Sequence, residues 1–316
     1  MVTSQKHELK LTGINYKKNK SPPIMKSHLI QKLNNFGSIM GLGELKGELT
    51  TLKKIMIESY LENRLNEKRY DEPGRLNKHE YQVLSQNGED GIIYEICKRI
   101  GTPDKYFVEF GVGNGTENNT AYLLMQNWTG SWIEGSSKHC IEMKLAYADI
   151  INSNQLFIKE SFITKDNIIN LFEELKIPQN LTLLSIDIDG NDYWVWKTLS
   201  NYKPRILVIE YNASVGPHIN WVMPYDEKHV WNGQTIGHYF GASLKALELL
   251  GRELGYSLVG CNLTGANAFF VRNDLITPGL FAEPFTAENH YEKPMYFLEK
   301  QLGHKRNHKL VNSSPY

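Results

Sequence analysis

The sequence predicts an α/β fold with a central sheet of about seven strands, parallel except for the last strand. Short apolar stretches alternate with helical patterns from about residue 105 to residue 210, which is typical of right-handed crossovers between parallel strands. Two further apolar stretches, Tyr256–Cys261 and Asn267–Arg272, are joined by a short segment that contains Gly265. This short glycine-bearing connection predicts an antiparallel hairpin at the end of the sheet.

The individual elements follow from apolar periodicity and from polar residues at helix starts. The five parallel strands are expected near residues 105–110, 130–134, 155–158, 181–187 and 205–210. Helices are expected near residues 43–65, 91–100, 118–127, 137–150, 165–176, 191–199 and 243–254. Asn87 and Asp90 precede the second of these helices, and we expect them to cap it.

The chain is predicted to contain one large domain with an extension at each end. Residues 1–80 form a polar, lysine-dotted tail and a helical extension, 81–280 form the α/β domain with an insertion at 213–241, and 281–316 form a C-terminal extension. Apolar residues recur at helical spacing over 43–65, which gives that helix one apolar face. The face can pack on the domain or join two copies of the chain in a homo-oligomer.

The turn after the first strand carries the strongest chemical signal. Glu109 ends an apolar stretch, and glycines follow at alternate positions, Gly111, Gly113 and Gly115. Glycines just past a strand allow positive φ and close approach of a ligand. Asn118 lies at the start of the next helix, whose positive N-terminus is expected to face the same ligand. The pattern predicts a nucleoside-cofactor site that includes these five residues.

Three further residues indicate which cofactor is expected. A dinucleotide fingerprint requires glycine where this chain has Thr116, which favours a cofactor without a pyrophosphate. Glu134 ends the second strand at about the interval expected of an acid that binds both ribose hydroxyls. Ser161 follows the third strand, where the edge of an adenine ring is expected to lie.

Carboxylates are concentrated at the ends of the fourth and fifth strands. Asp187 and Asp189 are expected on one face of an extended segment, and Glu210 ends the neighbouring strand. Because ligands bind beyond the carboxyl ends of parallel strands, these acids should line the crevice, with Asp187 also reaching the cofactor. They can ligate Mg²⁺ or Mn²⁺, which prefer carboxylate oxygens, or one can be the general base. Asp192 is expected to cap the following helix.

Composition limits the partners and the location of the chain. It has 35 basic and 35 acidic residues and a formal net charge of zero, so nothing favours binding to nucleic acid or to an anionic membrane. The cysteines, Cys97, Cys140 and Cys261, form no C-x-x-C pair, which argues against a zinc site and a disulfide framework. Because there is no apolar leader and no run of about eighteen apolar residues, we expect a cytoplasmic location without a membrane span.

Three motifs together resemble the FkbM-type branch of the class I S-adenosylmethionine-dependent methyltransferases. The motifs are Ser85-Gln86-x-Gly88-Glu89-Asp90, Phe107-Val108-Glu109-x-Gly111-x-Gly113 and Ile186-Asp187-Ile188-Asp189-Gly190-x-Asp192. The third motif is commonly Asp-Val-Glu-Gly-x-Glu in that branch, so this chain has aspartates in place of both glutamates. The likeness covers about residues 80–275.

The resemblance implies a fold, a cofactor and an activity. The fold would be the Rossmann-like class I methyltransferase sheet, and the cofactor would be S-adenosylmethionine. Members of the branch typically methylate hydroxyl groups of sugars and surface-polysaccharide precursors, so the implied activity is O-methyl transfer to a small-molecule or glycan acceptor. Two alternatives stay open: an NAD-dependent sugar oxidoreductase, and a non-catalytic binding or assembly module on a methyltransferase fold.

The insertion at 213–241 is expected to form the acceptor lid, because loops of this length are usually functional. It carries aromatic rings and histidines, which suit the apolar faces and hydroxylated edges of sugars. His218, just past the fifth strand, is the expected proton acceptor, and His229 is the second choice. Two competing explanations are that Asp187 accepts the proton, or that a metal ion lowers the pKa of the acceptor hydroxyl. Trp221 and Trp231 are expected to contact the acceptor.

Overall fold

The computed structural model describes residues 42–231, 237–298 and 308–312. The chain divides into two compact units, Met1–Met56 and Ile57–Tyr316. The predicted N-terminal tail lies outside the described residues.

The second unit is built on one seven-stranded sheet. Its strands are β1 (Tyr106–Phe110), β2 (Thr129–Glu134), β3 (Leu156–Glu160), β4 (Leu183–Ile186), β5 (Ile206–Glu210), β6 (Tyr256–Cys261) and β7 (Asn267–Arg272). They lie in the order β3-β2-β1-β4-β5-β7-β6. The first five pair in parallel, and β7 pairs antiparallel with both β5 and β6. This is the strand order of the class I methyltransferase fold, and it confirms the predicted fold class.

The α-helices of the described chain differ widely in length, from the 24 residues of the first to single turns of 4 residues. In chain order they are α1 (Leu42–Leu65), α2 (Glu89–Ile100), α3 (Ala121–Leu124), α4 (Ser137–Ala146), α5 (Ala148–Asn152), α6 (Ile168–Glu174), α7 (Asp192–Thr198), α8 (Leu244–Leu254), α9 (Ala287–His290) and α10 (Lys309–Asn312).

The parallel strands are buried on both faces, which explains their nearly continuous apolar sequences. Every apolar side chain of β4 and β5 is at most 1% exposed. Alternate residues of a strand enter two different apolar clusters: Val108 and Phe110 of β1 belong to one, and Phe107 belongs to the other. The sheet is therefore fixed between two apolar layers, and its polar strand ends are left to form a site.

Several helices are shorter than predicted, and two of them are cut short by identifiable contacts. The helix expected at 118–127 is the single turn α3, because Glu109 takes the backbone N–H groups of the residues before it. The helix expected at 137–150 is interrupted at Tyr147, which ends α4 and donates its hydroxyl to the carbonyl oxygen of Gly115.

The predicted cap of α2 is also formed differently. Asp90 lies inside the helix, and its Oδ2 accepts the backbone N–H groups of three preceding residues, Val83, Leu84 and Ser85, at 2.7–2.8 Å. The residue at the N-cap position is Gly88, which has a φ of +99°. No side chain makes a capping hydrogen bond at this position. Asn87 is therefore not the cap, and its side chain faces two cavities that are described below.

Both predicted extensions supply buried side chains to the second unit. Ile57 of α1 packs with Met295 and Leu298 in a small apolar cluster. Glu292 is fully buried, and it pairs with the guanidinium of Arg64.

The part of α1 in the first unit exposes its apolar face. More than half of the surface of each of five side chains is exposed: Leu45, Leu49, Leu52, Ile55 and Met56. Self-association through this face stays a prediction. Among the described residues, no helix is long and apolar enough to cross a membrane.

His290 should make the stability of the second unit depend on pH. It is buried on α9, with Nε2 3.1 Å from the carbonyl oxygen of Ala282. Burial first, and the charge of Arg75 second, lower its pKa from 6.5 to about 3. Between these values the unfolded chain binds the proton better, so the free energy of unfolding should fall as pH drops from 6.5 towards 3.

Urea unfolding at several pH values in this window tests the effect. The variant His290→Gln should show a flatter pH dependence than the wild type, because glutamine does not titrate. Equal slopes in the two proteins would show that His290 does not contribute to acid sensitivity.

Candidate active site

The turn after β1 joins the carboxyl ends of three neighbouring strands. Gly111 has a φ of +68°, and a Cβ on it would lie 1.6 Å from the backbone oxygen of Asp187 beyond β4. Its N–H donates to the carbonyl of Ile133 in β2 at 3.2 Å. The N–H of Gly113 donates to Oε2 of Glu134 at 2.8 Å. Glycine is thus required at 111 both by its backbone conformation and by the close approach of the chain after β4.

Glu109 holds the chain after this turn. It is 3% exposed, and its oxygens accept hydrogen bonds from the side chain of Asn118 (2.7 Å), the N–H of Asn119 (2.8 Å) and both the N–H (3.0 Å) and hydroxyl (2.6 Å) of Thr120. The expectation that a helix N-terminus faces the cofactor here is wrong, because Glu109 takes those N–H groups. Burial raises the pKa of Glu109, and the donors of Thr120 and Asn118 oppose that shift.

Asn118 and Gly115, two other predicted cofactor residues, lie in different surroundings. Asn118 lines a polar cavity of about 350 Å³ beside the glycine turn, and its Oδ1 is buried without a hydrogen-bond partner. Gly115 instead packs against the rings of Trp132 and Tyr147, where a Cβ would come within 3.0 and 3.1 Å of ring atoms. Gly115 lines neither this cavity nor the three further cavities described below, so its glycine serves packing.

Glu134 ends β2 with its carboxylate held by two backbone groups. Oε2 accepts the N–H of Gly113, and Oε1 accepts the N–H of Ser136, each at 2.8 Å. Nδ1 of His139 lies 3.8 Å from Oε1. Because a carboxylate oxygen can accept two hydrogen bonds, this fixed side chain keeps acceptor capacity for two hydroxyl groups of a ligand.

A cavity of about 420 Å³, which we name the glycine-loop cavity, opens at the ends of β1 to β4. Its volume lies within the range of roughly 300–1,000 Å³ that is usual for small-molecule sites. Ser161 and Phe162, which follow β3, line it together with Gly111, Gly113 and Glu134. The remaining lining residues are Ile133, Gly135, Ser136, His139, Ile163, Asp187, Ile188, Asp189, Asn191, His229, Val230 and Trp231.

Three carboxylates, which we name the acid cluster, meet at the ends of β4 and β5. Asp187, Asp189 and Glu210 each have an oxygen within 4.8 Å of the others. The predicted extended segment is wrong, because β4 ends at Ile186 and Asp189 has a φ of +56°. The turn nevertheless brings the acids together, and Oε2 of Glu210 is buried without a hydrogen-bond partner.

The acid cluster brings three carboxyl groups close together in a partly buried place. Burial raises the pKa of Asp187 and of Glu210 well above the usual range, and the neighbouring acids raise both further. Burial also raises the pKa of Asp189, which His229 opposes. Carboxylates in this situation are stabilised by a shared proton, by a cation or by donors from a ligand.

Asp192 fixes the backbone of the turn that carries Asp189. Its carboxylate accepts the N–H of Ile188 at 2.9 Å and the N–H of Gly190 at 2.8 Å. Its pKa is raised to about 6, chiefly by burial. The expected cap therefore acts on the turn between β4 and α7, and Asp192 holds the backbone that carries Asp189.

A second cavity of about 420 Å³, which we name the acid-cluster cavity, is also lined by these acids. Its lining residues are Gln86, Asn87, Asp187, Asp189, Glu210, Ser214, Trp231, Gly237, His238, Phe240, Ala266 and Tyr296. Asp187, Asp189 and Trp231 line this cavity and the glycine-loop cavity alike. The acid cluster thus lies where the two cavities meet.

The histidines of the insertion are separated by the fold. His218 is 76% exposed, with Nδ1 3.6 Å from Glu288 of α9, and it lines neither cavity. The predicted position of His218 in the site is corrected, because the chain turns after β5 and places it beside α9. His229 lines the glycine-loop cavity, with Nε2 3.1 Å from the backbone oxygen of Asp189. His238 lines the acid-cluster cavity.

The two tryptophans of the insertion also differ. Trp231 lines both cavities, whereas Trp221 packs edge-on against Tyr239, with ring centroids 5.6 Å apart, and lines neither. Residues 232–236 of the insertion lie outside the described chain.

Sequence reasoning missed the four residues of the acid-cluster cavity that lie outside the carboxyl ends of the strands and the insertion: Gln86, Asn87, Ala266 and Tyr296. Gln86 and Asn87 belong to a motif that the sequence singles out, but their polarity is equally typical of a helix start. Tyr296 gave no signal, because it lies in the C-terminal extension and reaches the site only through the packing of that segment.

No family model and no curated protein matches the chain. Solved structures with a similar backbone include class I S-adenosylmethionine-dependent methyltransferases. Magnesium protoporphyrin IX methyltransferase from Synechocystis with bound S-adenosylmethionine has a TM-score of 0.40 and 12% identity, over 70% of this chain and 97% of its own.

Two O-methyltransferase structures give similar values. A putative O-methyltransferase from Klebsiella pneumoniae has a TM-score of 0.40 and 12% identity, over 70% of this chain and 96% of its own. An O-methyltransferase from Bacillus cereus in complex with S-adenosylhomocysteine has a TM-score of 0.39 and 11% identity, over 69% and 88%. Because these values are low, the fold assignment rests on the strand order of this chain.

Proposed function

We propose that this protein is an S-adenosylmethionine-dependent O-methyltransferase that modifies a hydroxyl group of a sugar, a glycan or a surface-polysaccharide precursor. The observation that carries the proposal is the position of the acid cluster where the glycine-loop cavity and the acid-cluster cavity meet. Group transfer between two bound molecules requires their reacting atoms to be held next to each other. Two adjoining cavities that share Asp187 and Asp189 are suited to hold the two molecules in this way.

The glycine-loop cavity would hold S-adenosylmethionine, whose sulfonium supplies the activated methyl group. Glu134 would accept the ribose hydroxyls, since two backbone N–H groups already fix its carboxylate. Gly113 leaves room for the ligand, because no atom lies within 4 Å of the place where its Cβ would be. Ser161 and Phe162 would contact the adenine ring, and Phe162 offers a ring that is 49% exposed.

The acid cluster would hold a divalent cation such as Mg²⁺ or Mn²⁺. Three carboxylate oxygens within 4.8 Å of one another match the oxygen-rich sites that these hard cations take. The buried, unpaired Oε2 of Glu210 supports this assignment, since buried polar atoms normally have a partner. Such a cation, when bound, lowers the pKa of a hydroxyl group beside it.

The acid-cluster cavity would hold the acceptor. The aromatic residues Trp231 and Phe240 and the imidazole of His238 line it together with the acids, a composition that suits a polyhydroxylated ring. Asp187 lines both cavities, so we assign to it the handling of the acceptor proton, in place of His218.

Calorimetric titration of an alanine variant tests the cofactor assignment. Glu134→Ala should weaken S-adenosylmethionine binding by about 1.5–3 kcal/mol, the scale of charge-assisted hydrogen bonds. The matched control is Glu160→Ala, because Glu160 is the register partner of Glu134 on β3 and does not line the glycine-loop cavity. The control should bind like the wild type. Unchanged affinity in Glu134→Ala would refute the ribose assignment.

A further inference from the structure

A fourth cavity, which we name the hairpin cavity, lies beside the β6–β7 hairpin and has a volume of about 380 Å³. Four segments of the second unit line it: the last turns of α1, residues 80–88, the hairpin turn and Leu298. The lining residues are Glu58, Leu61, Glu80, Tyr81, Gln82, Gln86, Asn87, Gly88, Leu263, Thr264 and Leu298. The proposed function assigns no ligand to this cavity.

The hairpin cavity adjoins the acid-cluster cavity. Gln86 and Asn87 line both, so the two cavities meet at these two residues. A molecule with one unit beside the acid cluster can therefore place its next unit in the hairpin cavity past the same two amides. Each cavity alone has the volume of a small-molecule site, roughly 300–1,000 Å³.

The walls of the hairpin cavity combine apolar and polar groups. Leu61, Leu263 and Leu298 supply apolar surface, and Tyr81 supplies an aromatic ring that is 41% exposed. Thr264 is 4% exposed, and its buried hydroxyl has no hydrogen-bond partner. An unpaired hydroxyl beside apolar walls is the environment of a ligand with apolar ring faces and hydroxyl edges.

The charge of the two cavities limits the ligand further. Glu58 and Glu80 line the hairpin cavity, the acid cluster lines its neighbour, and neither set of lining residues in the described chain includes lysine or arginine. Phosphates, sulfates and uronates are normally bound by such cations or by helix N-termini. The N-terminus of α2 begins at Gly88 on this cavity, but the N–H groups of Asp90 and Gly91 already donate to Ser85 and Tyr81. The cavities therefore favour neutral or amino-bearing groups and disfavour anionic ones.

We propose that the hairpin cavity is a second acceptor subsite, so that the acceptor is a neutral or amino-bearing oligosaccharide of at least two linked sugar units. One unit lies at the acid cluster and the next occupies the hairpin cavity beyond Gln86 and Asn87. The proposal rests on the proposed function, because it extends the acceptor site of that reaction.

Methyl transfer to a defined panel of sugars tests the subsite. The panel contains the methyl glycosides of common neutral and amino hexoses, the corresponding disaccharides, and disaccharides whose outer unit is a uronic acid. Transfer is followed with S-adenosylmethionine carrying a labelled methyl group, and binding is measured in parallel by calorimetry with S-adenosylhomocysteine present. For the preferred sugar, kcat/KM of the neutral disaccharide should exceed that of the methyl glycoside by about tenfold or more. A tenfold gain corresponds to about 1.4 kcal/mol of additional binding free energy from the second sugar unit.

Blocking the hairpin cavity should remove this gain selectively. Glu58→Trp places a large side chain in the cavity, whereas Glu62→Trp, one helical turn further on, adds the same ring at an exposed position outside it. The first variant should lower kcat/KM for the disaccharide to the value of the methyl glycoside, and the second should behave like the wild type. Tyr81→Ala should also reduce the gain, while Tyr94→Ala, its exposed ring neighbour outside the cavity, should retain it.

Other results would overturn the subsite. The subsite is rejected if kcat/KM is equal for methyl glycosides and disaccharides, or if Glu58→Trp lowers kcat/KM equally on both substrates. It is also rejected if the uronate disaccharide is preferred, or if no disaccharide of the panel binds. These results leave S-adenosylmethionine binding and transfer to single sugars intact. Failure of the proposed function differs, because S-adenosylmethionine itself would then not bind.

Discussion

Replacing Asp187 by asparagine is expected to reduce methyl transfer by roughly 10²–10⁴-fold, the range for loss of a group that handles a proton. Asp187 is the acid with the strongest reason to matter, because it lines both cavities and has a carboxylate oxygen within 4.8 Å of the other two acids of the cluster. Asparagine keeps the size of the side chain but removes the titratable carboxyl group. Affinity for S-adenosylmethionine should change much less, since that role is assigned to Glu134.

The matched control for this variant is His218→Ala. His218 lies beside Glu288 and lines neither cavity, so its loss should leave kcat nearly unchanged. Steady-state kinetics of both variants give the comparison. A wild-type rate in Asp187→Asn together with a large loss in His218→Ala would reverse the assignment.

Chelation separates the two roles proposed for the acid cluster. If the cluster holds a cation, activity should fall in excess chelator and return with Mg²⁺ or Mn²⁺. Full activity in excess chelator, with Asp187→Asn still inactive, would retain the carboxylate and discard the cation.

Replacing Gly111 by alanine should have the largest effect on folding among the site residues. The new Cβ would lie 1.6 Å from the backbone oxygen of Asp187, at a φ of +68° that alanine rarely adopts. Because the contact is with backbone, the chain between β1 and β4 must shift. We expect a loss of about 2–5 kcal/mol in the free energy of unfolding, combining overpacking with backbone strain.

Gly113→Ala is the matched control. Gly113 also has a positive φ, +59°, but no atom lies within 4 Å of its Cβ position. The loss in the free energy of unfolding of Gly113→Ala should therefore reflect backbone strain alone, about 1 kcal/mol. Denaturant unfolding of the two variants measures the difference, and equal losses would show that the close approach of β4 is unimportant.

The fold could be predicted from the sequence because its signals are local. Buried parallel strands produce apolar stretches, and the hairpin strands, Tyr256–Cys261 and Asn267–Arg272, have the predicted bounds. The insertion of β7 between β5 and β6 could not be predicted in the same way. A hairpin sequence fixes which strands pair with each other, but not which of them reaches the edge of the sheet.

The site was predictable where position on the sheet determines it. Asp187, Asp189 and Glu210 follow adjacent parallel strands, so their meeting follows from topology. His218 did not follow this logic, because the course of a long loop depends on packing against distant segments such as α9. Glu109 shows a different limit: its sequence position fits a ligand contact and a cap equally well, and only its bonded partners distinguish them.

Calorimetric titration of the full chain with S-adenosylmethionine, and separately with NAD, tests the central claim most directly. We predict saturable binding of S-adenosylmethionine at one site, with a Kd within roughly 1 μM–1 mM, the range usual for enzyme substrates. NAD should give no binding, because the turn after β1 has Thr116 where a dinucleotide site requires glycine. Saturable binding of NAD without binding of S-adenosylmethionine would contradict the assignment and favour a sugar oxidoreductase.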